Sequence, residues 1–252
     1  MPRILITNDD GVQSVGIEAL AAALDPIGEV IVVAPLAESS AIGHALTLAR
    51  PLRASAVRPG WFAVDGTPTD CVNIALARLL TAPPDLVVSG INKGYNIGDD
   101  VTYSGTVAGA MEGALLGFAG VAVSLQRTGA SFDFSQSARA ARVVCEAVLA
   151  RGLPPRTFLN VNVPEASARG FRVTVQGRRN HVTAVAEAFD PRKTPYYWIE
   201  EGESDWEPHD RSDYQAVRDG WISVTPLHPD LTNYGALDFT EALPLREGAE
   251  VE

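Results

Sequence analysis

The chain has 252 residues, of which 46% are hydrophobic and 20% are charged, and its formal net charge is −11. This balance is typical of a soluble globular protein and excludes a disordered chain, a coiled coil and a collagen. Nucleic-acid polymers and anionic membranes need a basic surface, so the negative charge argues against both as partners. A small phosphate ligand stays compatible with it, because a metal ion or a helix N-terminus can invert the local field.

The first two-thirds of the chain alternate short β-branched runs with amphipathic stretches. The predicted strands are 4–6, 30–34, 86–89, 121–124 and 158–163, and the predicted helices are 15–24, 68–80, 106–116 and 137–150. Such alternation indicates an α/β fold, a Rossmann-like three-layer sandwich whose mainly parallel sheet is covered on both faces. Ligands of such sheets bind beyond the carboxyl ends of the strands, so the polar residues that follow each strand are the candidate site.

The pattern changes after Pro164. Between residues 187 and 219, ten acidic residues stand against four basic ones, and five Tyr or Trp residues occur among residues 196–214. This composition predicts loops, hairpins or an arm within a single domain over 1–252, with an α/β core at 1–164 and a C-terminal arm with dimerisation elements at 165–252. Exposed aromatic arms often mediate subunit contact, although the same side chains can line a ligand pocket.

Two sequence features bear on the compartment. Cys71 and Cys145 lie in apolar helical patterns without a CxxC motif or a Cys/His cluster, which predicts buried free thiols instead of a disulfide or a zinc site. The N-terminus lacks the pattern of a signal peptide, and no apolar run approaches the roughly 20 residues that span a bilayer. The expected location is the cytoplasm.

Polar side chains follow the first two strands. Asp9 and Asp10 come directly after the first, where a divalent cation would relieve their mutual repulsion and accept their hard oxygen ligands. The structural alternative is that one of them caps the next helix. The second strand leads into Ser39 and Ser40, whose hydroxyls suit a metal, a phosphate or an ordinary turn.

The strand at 86–89 leads into the segment SGINKGYNIG at 89–98. Its spaced glycines allow close backbone approach to a ligand, but it matches neither the dinucleotide GxGxxG motif nor the P-loop, which disfavours bound NAD and ATP-driven chemistry. Asn92 and Asn96 offer amide groups for a metal or a phosphate. For Lys93 the prediction is a solvated surface side chain.

Tyr103-Ser104-Gly105-Thr106 opens the next helix. Its backbone N–H groups and hydroxyls form an anion site, although Ser104 alone is also a plain helix cap. The sequence contains no HExxH, GxSxG or Cys/His pair, so a serine-hydrolase triad has little support. Together these segments indicate an oxygen-rich metal site beside an anion site, and hydrolysis of a phosphate ester is the simplest chemistry for it.

The same segments resemble the SurE family, the stationary-phase survival nucleotidases. The most specific match is SGINKGYNIGDDVTYSGTV at 89–107. The other matching segments, in the family's order, are ILITNDDGV (4–12), VVAP (32–35), SSAIGHALTL (39–48), VDGTPTDCV (64–72), LNVNVP (159–164), PYYW (195–198), SDYQAV (212–217) and ISVTPL (222–227).

The resemblance implies a divalent-metal-dependent phosphatase acting on nucleoside 5′- and 3′-monophosphates, and some members also trim short polyphosphate. It implies that one metal ion, Mg²⁺ or Mn²⁺, is held by Asp9, Asp10, Ser40 and Asn92. It implies that the substrate phosphate is held by Asn96, Ser104, Gly105 and Thr106. It also implies a C-terminal arm that builds a homodimer or a homotetramer.

The chain departs from the family after Val-Ala-Pro, where the family commonly has Asp-Arg-Asn and this chain has Leu36-Ala37-Glu38. Ser40 matches the metal-binding serine by position, with Ser39 as the adjacent alternative. The missing arginine at Ala37 removes a positive charge near the mouth of the site, so no substrate contact of that arginine carries over.

The mechanistic hypothesis is in-line attack by a metal-activated water, with either Asp9 or Asp10 accepting its proton. An aspartyl-phosphate intermediate is less favoured, because an aspartate committed to a metal is a poor nucleophile. Two other functions stay open. One is a metal-dependent phosphatase whose main substrate is not a nucleotide, such as short polyphosphate. The other is a non-enzymatic phosphoacceptor regulator, since receiver domains also carry an acidic pair after their first strand.

Overall fold

The computed structural model describes residues 1–126, 132–180, 183–201 and 205–243. Its strands and helices, in chain order, are β1 (Arg3–Thr7), α1 (Val15–Leu24), β2 (Glu29–Pro35), β3 (Ala54–Arg58), β4 (Trp61–Val64), α2 (Pro68–Ile74), β5 (Leu86–Lys93), α3 (Gly105–Leu115), β6 (Ala119–Leu125), α4 (Ser135–Arg151), β7 (Phe158–Val163), β8 (Phe171–Val173), β9 (Arg179–Asn180), β10 (Thr183–Phe189), β11 (Pro195–Glu201), β12 (Asp205–Trp206), α5 (Asp213–Arg218), β13 (Ile222–Leu227) and α6 (Leu237–Glu241). A π-helical turn at Ala75–Leu79 continues α2, and a 3₁₀ turn at Gly98–Thr102 precedes α3.

The central sheet has nine strands in the order β3-β4-β2-β1-β5-β6-β7-β13-β8. The six strands from β4 to β7 run parallel to one another, whereas β3 and β13 pair antiparallel with β4 and β7. This confirms the predicted Rossmann-like, mainly parallel sheet. Because β1 pairs with β2 on one side and β5 on the other, the strand order reverses between β1 and β5, which is the switch point where such folds bind ligands.

Burial explains the three layers. In β1 all of Ile4, Leu5 and Ile6 are fully buried, with Ile4 and Ile6 in the core under α1 and α4 and Leu5 in the core under α2. Side chains of successive strand residues point to opposite faces, so a continuously apolar strand needs a helical layer on each face. The free thiols of Cys71 on α2 and Cys145 on α4 are both buried, as predicted. Among the described residues, no helix is long and apolar enough to cross a membrane.

β5 extends beyond its predicted end at Ser89 and reaches Lys93. The extra residues continue to pair with β6, with a shift of register between Gly90 and Asn92. Gly90 permits this shift, because its φ is +136° and a Cβ there would lie 2.3 Å from the carbonyl oxygen of Val123. The extension carries Asn92 and Lys93 to the carboxyl edge of the sheet.

The C-terminal part contributes to the core as well as forming a hairpin. β10 and β11 pair antiparallel, and Trp198 and Ile199 on this hairpin are 65% and 85% exposed. β13, however, pairs with β7 and adds a strand to the main sheet, and β8 pairs parallel with β13. In β13 the adjacent residues Ile222 and Ser223 point to opposite faces of the sheet and are both buried, as expected for a strand inside the sheet. Two strands that follow Pro164, β8 and β13, therefore extend the main sheet, a role that the sequence did not predict for them.

Candidate metal and phosphate site

The acidic pair lies at the switch point of the sheet. Asp9 and Asp10 follow β1 directly, and Asn92 lies near the end of the adjacent β5. The sequence therefore predicted correctly that these residues share one edge. Asp9 is 5% exposed, and the side chain of Asp10 is 7% exposed.

Asp9 is packed against the start of α3. The hydroxyl of Thr106 donates a hydrogen bond to Asp9 Oδ1. A Cβ on Gly105 would lie 2.8 Å from the Cβ of Asp9, so a glycine is what lets the helix approach the carboxylate this closely. Burial raises the pKa of Asp9 and the charge of Asp10 raises it further, while the hydrogen bond from Thr106 lowers it.

One carboxylate oxygen of Asp10 faces the ammonium group of Lys93, and the other has no hydrogen-bond partner among the described residues. Its Oδ1 lies 3.5 Å from Lys93 Nζ. Lys93 is an exposed residue, as predicted, and its ammonium is also the cation beside Asp10. Asp10 Oδ2 is buried and has no hydrogen-bond partner in the part of the chain that the structure describes. Burial raises the pKa of Asp10, the positive charge of Lys93 lowers it and the negative charge of Glu38 raises it.

The loop after β2 that carries Ser39 and Ser40 is bonded to the acidic pair through Ser39, while Ser40 is an exposed residue. The backbone N–H of Ser39 donates to the carbonyl oxygen of Asp9 at 2.8 Å, which fixes this loop next to β1. The hydroxyl of Ser40 donates to Glu38 Oε1 at 2.7 Å, and the hydroxyl of Ser39 donates to the carbonyl oxygen of Ala37 at 3.4 Å. Since each hydroxyl acts as a donor here, the oxygen lone pairs of both remain for a metal or another donor.

Asn92 presents an amide oxygen in the same way. Its Nδ2 donates to the carbonyl oxygen of Gly94 at 2.9 Å, which orients the amide and leaves Oδ1 as an acceptor. The candidate donors are thus two carboxylates, hydroxyl oxygens and an amide oxygen, the oxygen set that Mg²⁺ and Mn²⁺ prefer. Within the described ranges, no group of three His, Cys, Asp or Glu residues is arranged to hold a metal ion. The orphaned Asp10 Oδ2 is the observation that fits a hard cation at this position.

Asn96 is held by a buried polar network that the sequence analysis missed. Its backbone N–H donates to Asn162 Oδ1 at 2.8 Å, and its carbonyl oxygen accepts from the amides of Asn160 and Asn162 at 2.8 and 3.0 Å. Its Nδ2 donates to the hydroxyl of Ser124 at 2.8 Å. The sequence feature that could have predicted this network is the alternation of asparagine with apolar residues in LNVNVP. It places the side-chain amides of Asn160 and Asn162 on one face of β7.

The start of α3 is both a capped helix end and a candidate anion site. The hydroxyl of Ser104 accepts a hydrogen bond from the N–H of Val107 at 3.1 Å, so the N-cap interpretation is correct. A hydroxyl that accepts can still donate to another group. The backbone N–H groups of Gly105 and Thr106 belong to the first turn, where a helix provides no internal acceptor.

Two further contacts fix the loops of the site. His44 Nε2 lies 2.6 Å from Oε2 of Glu112, a buried residue of α3, and Asn73 Nδ2 donates to the other oxygen of Glu112 at 2.6 Å. The loop that carries Ser39 and Ser40 is thereby tied to α3.

On the opposite side, the buried carboxylate of Asp213 accepts hydrogen bonds from the N–H groups of Gly98, Gly177 and Tyr214 at 3.0, 2.9 and 2.8 Å. Burial raises the pKa of Asp213, and these three hydrogen bonds lower it. The loop between Asn96 and Ser104 is therefore held in place by the C-terminal part of the chain.

A mainly parallel sheet with buried carboxylates and a helix N-terminus at its switch point defines an α/β protein of Rossmann-like topology with a candidate cation site beside a candidate anion site. A family model described as "Survival protein SurE" matches residues 4–183. The chain belongs to the SurE family, as its segments indicated.

Relatives and a solved structure agree with this assignment. The chain is 56% identical to a protein named 5′-nucleotidase SurE from Syntrophotalea carbinolica, over 93% of this chain and 94% of that protein. It is 54% identical to a protein of the same name from Geobacter metallireducens, with the same two coverages. The crystal structure of the SurE protein from Aquifex aeolicus superposes with a TM-score of 0.86 at 43% identity, covering 95% of this chain and 98% of that one.

Proposed function

We propose that this protein is a 5′-nucleotidase, a phosphoric monoester hydrolase that converts nucleoside monophosphates to nucleoside and phosphate with one divalent cation. The observation that carries the proposal is the buried Asp9–Asp10 pair, with one orphaned oxygen, packed against the N-terminus of α3. The names of the relatives support the reaction. Hydrolysis of 3′-monophosphates belongs to the same proposal, because every residue assigned to the site would hold the cation or the phosphate and none would select the nucleoside.

The cation, Mg²⁺ or Mn²⁺, would be held by Asp9, Asp10, Ser40 and Asn92. When bound, it would activate a water molecule and offset negative charge on the phosphoryl oxygens. The hydrogen bond from Thr106 to Asp9 Oδ1 supports this assignment, because it fixes one carboxylate oxygen and thereby the direction of the other. Ser39 is the alternative hydroxyl ligand, since its backbone is bonded to Asp9.

The phosphate would be bound by Asn96, Ser104, Gly105 and Thr106. The hydroxyl of Thr106 already donates its hydrogen to Asp9. Thr106 would therefore bind the phosphate through its backbone N–H, as Gly105 would. Ser104 would donate its hydroxyl, and Asn96 would donate the amide hydrogen that does not bond to Ser124. These donors are fixed before the substrate arrives and stabilise the charge that develops on the phosphoryl oxygens.

The attacking water must lose a proton, and the buried carboxylates are the bases within the site. Asp9, which is held against α3, and Asp10, which lies beside Lys93, are both placed for this role. Asn substitution of each residue, followed by the pH profile of kcat, identifies which of the two takes this proton.

Phosphate release from AMP is the test of the function. We expect release with added Mn²⁺ or Mg²⁺ and its loss in EDTA, because a pair of buried carboxylates without a cation repels the phosphate. Restoration by Mn²⁺ after EDTA is the control for irreversible damage. Release that is unchanged in EDTA would contradict the metal-dependent mechanism.

The substrate class is decided by comparison. Preferred turnover of a sugar phosphate or of short polyphosphate over AMP, GMP and 3′-AMP would favour the alternative of a phosphatase with another main substrate. Labelling by acetyl phosphate without turnover would favour a phosphoacceptor regulator. The length of the chain supports the enzyme, because a receiver domain is about half this size. The glycine- and asparagine-rich segment at 89–107 also supports it, because such a segment has no role in a receiver domain.

We also propose that the chain forms a homodimer or homotetramer through the β10–β11 hairpin, whose exposed apolar side chains need cover. Trp198→Glu is expected to shift the mass in multi-angle light scattering from a multiple of the monomer to the monomer. The matched control is Val143→Glu, which places the same charge on a half-exposed position of α4. A monomeric wild type would contradict the proposal. The two buried free thiols are consistent with a cytoplasmic location.

A further inference from the structure

Lys93 lies at the boundary between the acidic pair and solvent. It is the last residue of β5, directly after the candidate ligand Asn92. Its Nζ is 3.5 Å from Asp10 Oδ1, and its side chain is 35% exposed while that of Asp10 is 7% exposed. The ammonium therefore covers one oxygen of a buried carboxylate and keeps one side open to the mouth of the site.

The site needs positive charge. Asp9 and Asp10 are consecutive carboxylates with little exposure, the loop that carries Glu38 is bonded to Asp9 through Ser39, and the whole chain carries −11. A phosphate dianion entering this edge of the sheet meets that field. Among the described residues, two basic side chains of nearby loops are paired with acids: His44 with Glu112, and Arg179 with Asp100.

The geometry of Asp10 lets Lys93 serve both the acid and the substrate. An ammonium has three donor hydrogens, and the ion pair with Asp10 Oδ1 at 3.5 Å engages at most one of them. Asp10 Oδ2 is the oxygen without a partner, so a cation that binds there does not compete with Lys93 for the same atom. The four-carbon stem of lysine allows the ammonium to follow a ligand while keeping this contact.

We propose that Lys93 is a substrate-binding residue that donates to a non-bridging oxygen of the phosphate while it holds Asp10 Oδ1. The proposal rests on the proposed function and names the cation through which this acidic chain attracts its anionic substrate. The charge of Lys93 makes the same contact with inorganic phosphate, the product of the reaction, so the product is a probe of the contact that needs no turnover.

Lys93→Met tests the proposal in the full chain loaded with Mn²⁺. KM for AMP and the inhibition constant of inorganic phosphate are both expected to rise by about 10- to 100-fold, the worth of a charge-assisted hydrogen bond. Affinity for Mn²⁺, measured by titration calorimetry, is expected to stay the same or increase, because the variant removes a positive charge beside Asp10. Lys93→Arg should recover most of the phosphate affinity.

Lys193→Met is the matched control, because it removes the only other lysine of the chain, which lies in the turn of the hairpin. An unchanged inhibition constant in Lys93→Met would overturn the proposal. So would a parallel fall in Mn²⁺ and phosphate affinity, since that result means that Lys93 only positions Asp10. If the wild type releases no phosphate from AMP, the proposed function fails, while calorimetric binding of inorganic phosphate to the Mn²⁺-loaded protein still decides the role of Lys93.

Discussion

Asp9→Asn is expected to lower kcat/KM for AMP by about 1,000-fold, or about 4 kcal/mol of transition-state stabilisation. The substitution keeps the size of the side chain and an oxygen that can accept from Thr106. It removes the negative charge that a divalent cation needs, so the loss reports on charge and not on packing. Steady-state kinetics over a range of Mn²⁺ concentrations measure the effect, and excess Mn²⁺ should recover only part of it.

The same substitution is expected to leave the metal-free protein at least as stable as the wild type. Burial and the charge of Asp10 both raise the pKa of Asp9, so its ionised form destabilises the folded state at neutral pH. A neutral amide removes that cost. Thermal unfolding in EDTA should therefore show an equal or higher Tm, whereas added Mn²⁺ should stabilise the wild type more than the variant.

Asp25→Asn provides the control, because Asp25 is an exposed residue after α1 and the substitution changes the net charge equally. Full Mn²⁺-dependent activity in Asp9→Asn would place the cation elsewhere. A large fall in Tm in EDTA would show that Asp9 has a structural role that its burial does not predict.

Gly105→Ala is expected to reduce kcat/KM by about 100-fold and to destabilise the fold by about 1–3 kcal/mol. The new methyl group would lie 2.8 Å from the Cβ of Asp9 and 3.0 Å from its Oδ2. Either the helix start or the carboxylate must move, and both are parts of the proposed site. A displacement of about 1 Å in such a site costs about 100-fold in rate.

Gly235→Ala is the matched control for this substitution. Its Cβ would meet only Asn233 Oδ1 at 3.5 Å, which is an ordinary contact. We expect wild-type kinetics and stability there, by kinetic assay and chemical denaturation. Wild-type activity in Gly105→Ala would mean that the start of α3 is not held against Asp9 in the working enzyme.

The sequence predicted the layers of the fold because each depends on a local signal. A run such as Ile4-Leu5-Ile6 is long enough for a strand and apolar on both faces, and it is buried on both. Helix α1 has the predicted bounds, because its apolar periodicity starts after Ser14. The hydroxyl of Ser14 caps the helix by accepting a hydrogen bond from the N–H of Ile17. β13 was not assigned to the sheet, because its place beside β7 depends on a pairing between distant segments.

The sequence predicted which residues meet at this edge of the sheet, but not all of the contacts between them. Residues that end adjacent parallel strands meet at one edge, so the pairing of β1 with β5 was enough to bring Asp9, Asp10 and Asn92 together. The contact of Lys93 with Asp10 was missed, because it requires β5 to continue past Ser89 through a shift of register. The hydrogen bonds from Asn160 and Asn162 depend on side-chain directions that only the folded sheet defines.

The hydrogen bond from the N–H of Gly98 to Asp213 limits the order in which the protein can fold. The two residues are 115 positions apart in the chain. The side-chain amides of β7 that donate to the carbonyl oxygen of Asn96 are more than 60 positions from it. During synthesis the N-terminal strands and helices emerge first and find neighbours among themselves. The loop between Asn96 and Ser104, which would bind phosphate, is therefore fixed only after α5 has left the ribosome, because Asp213 is the first residue of α5. A nascent chain can therefore acquire most of its sheet while it is still without a substrate site.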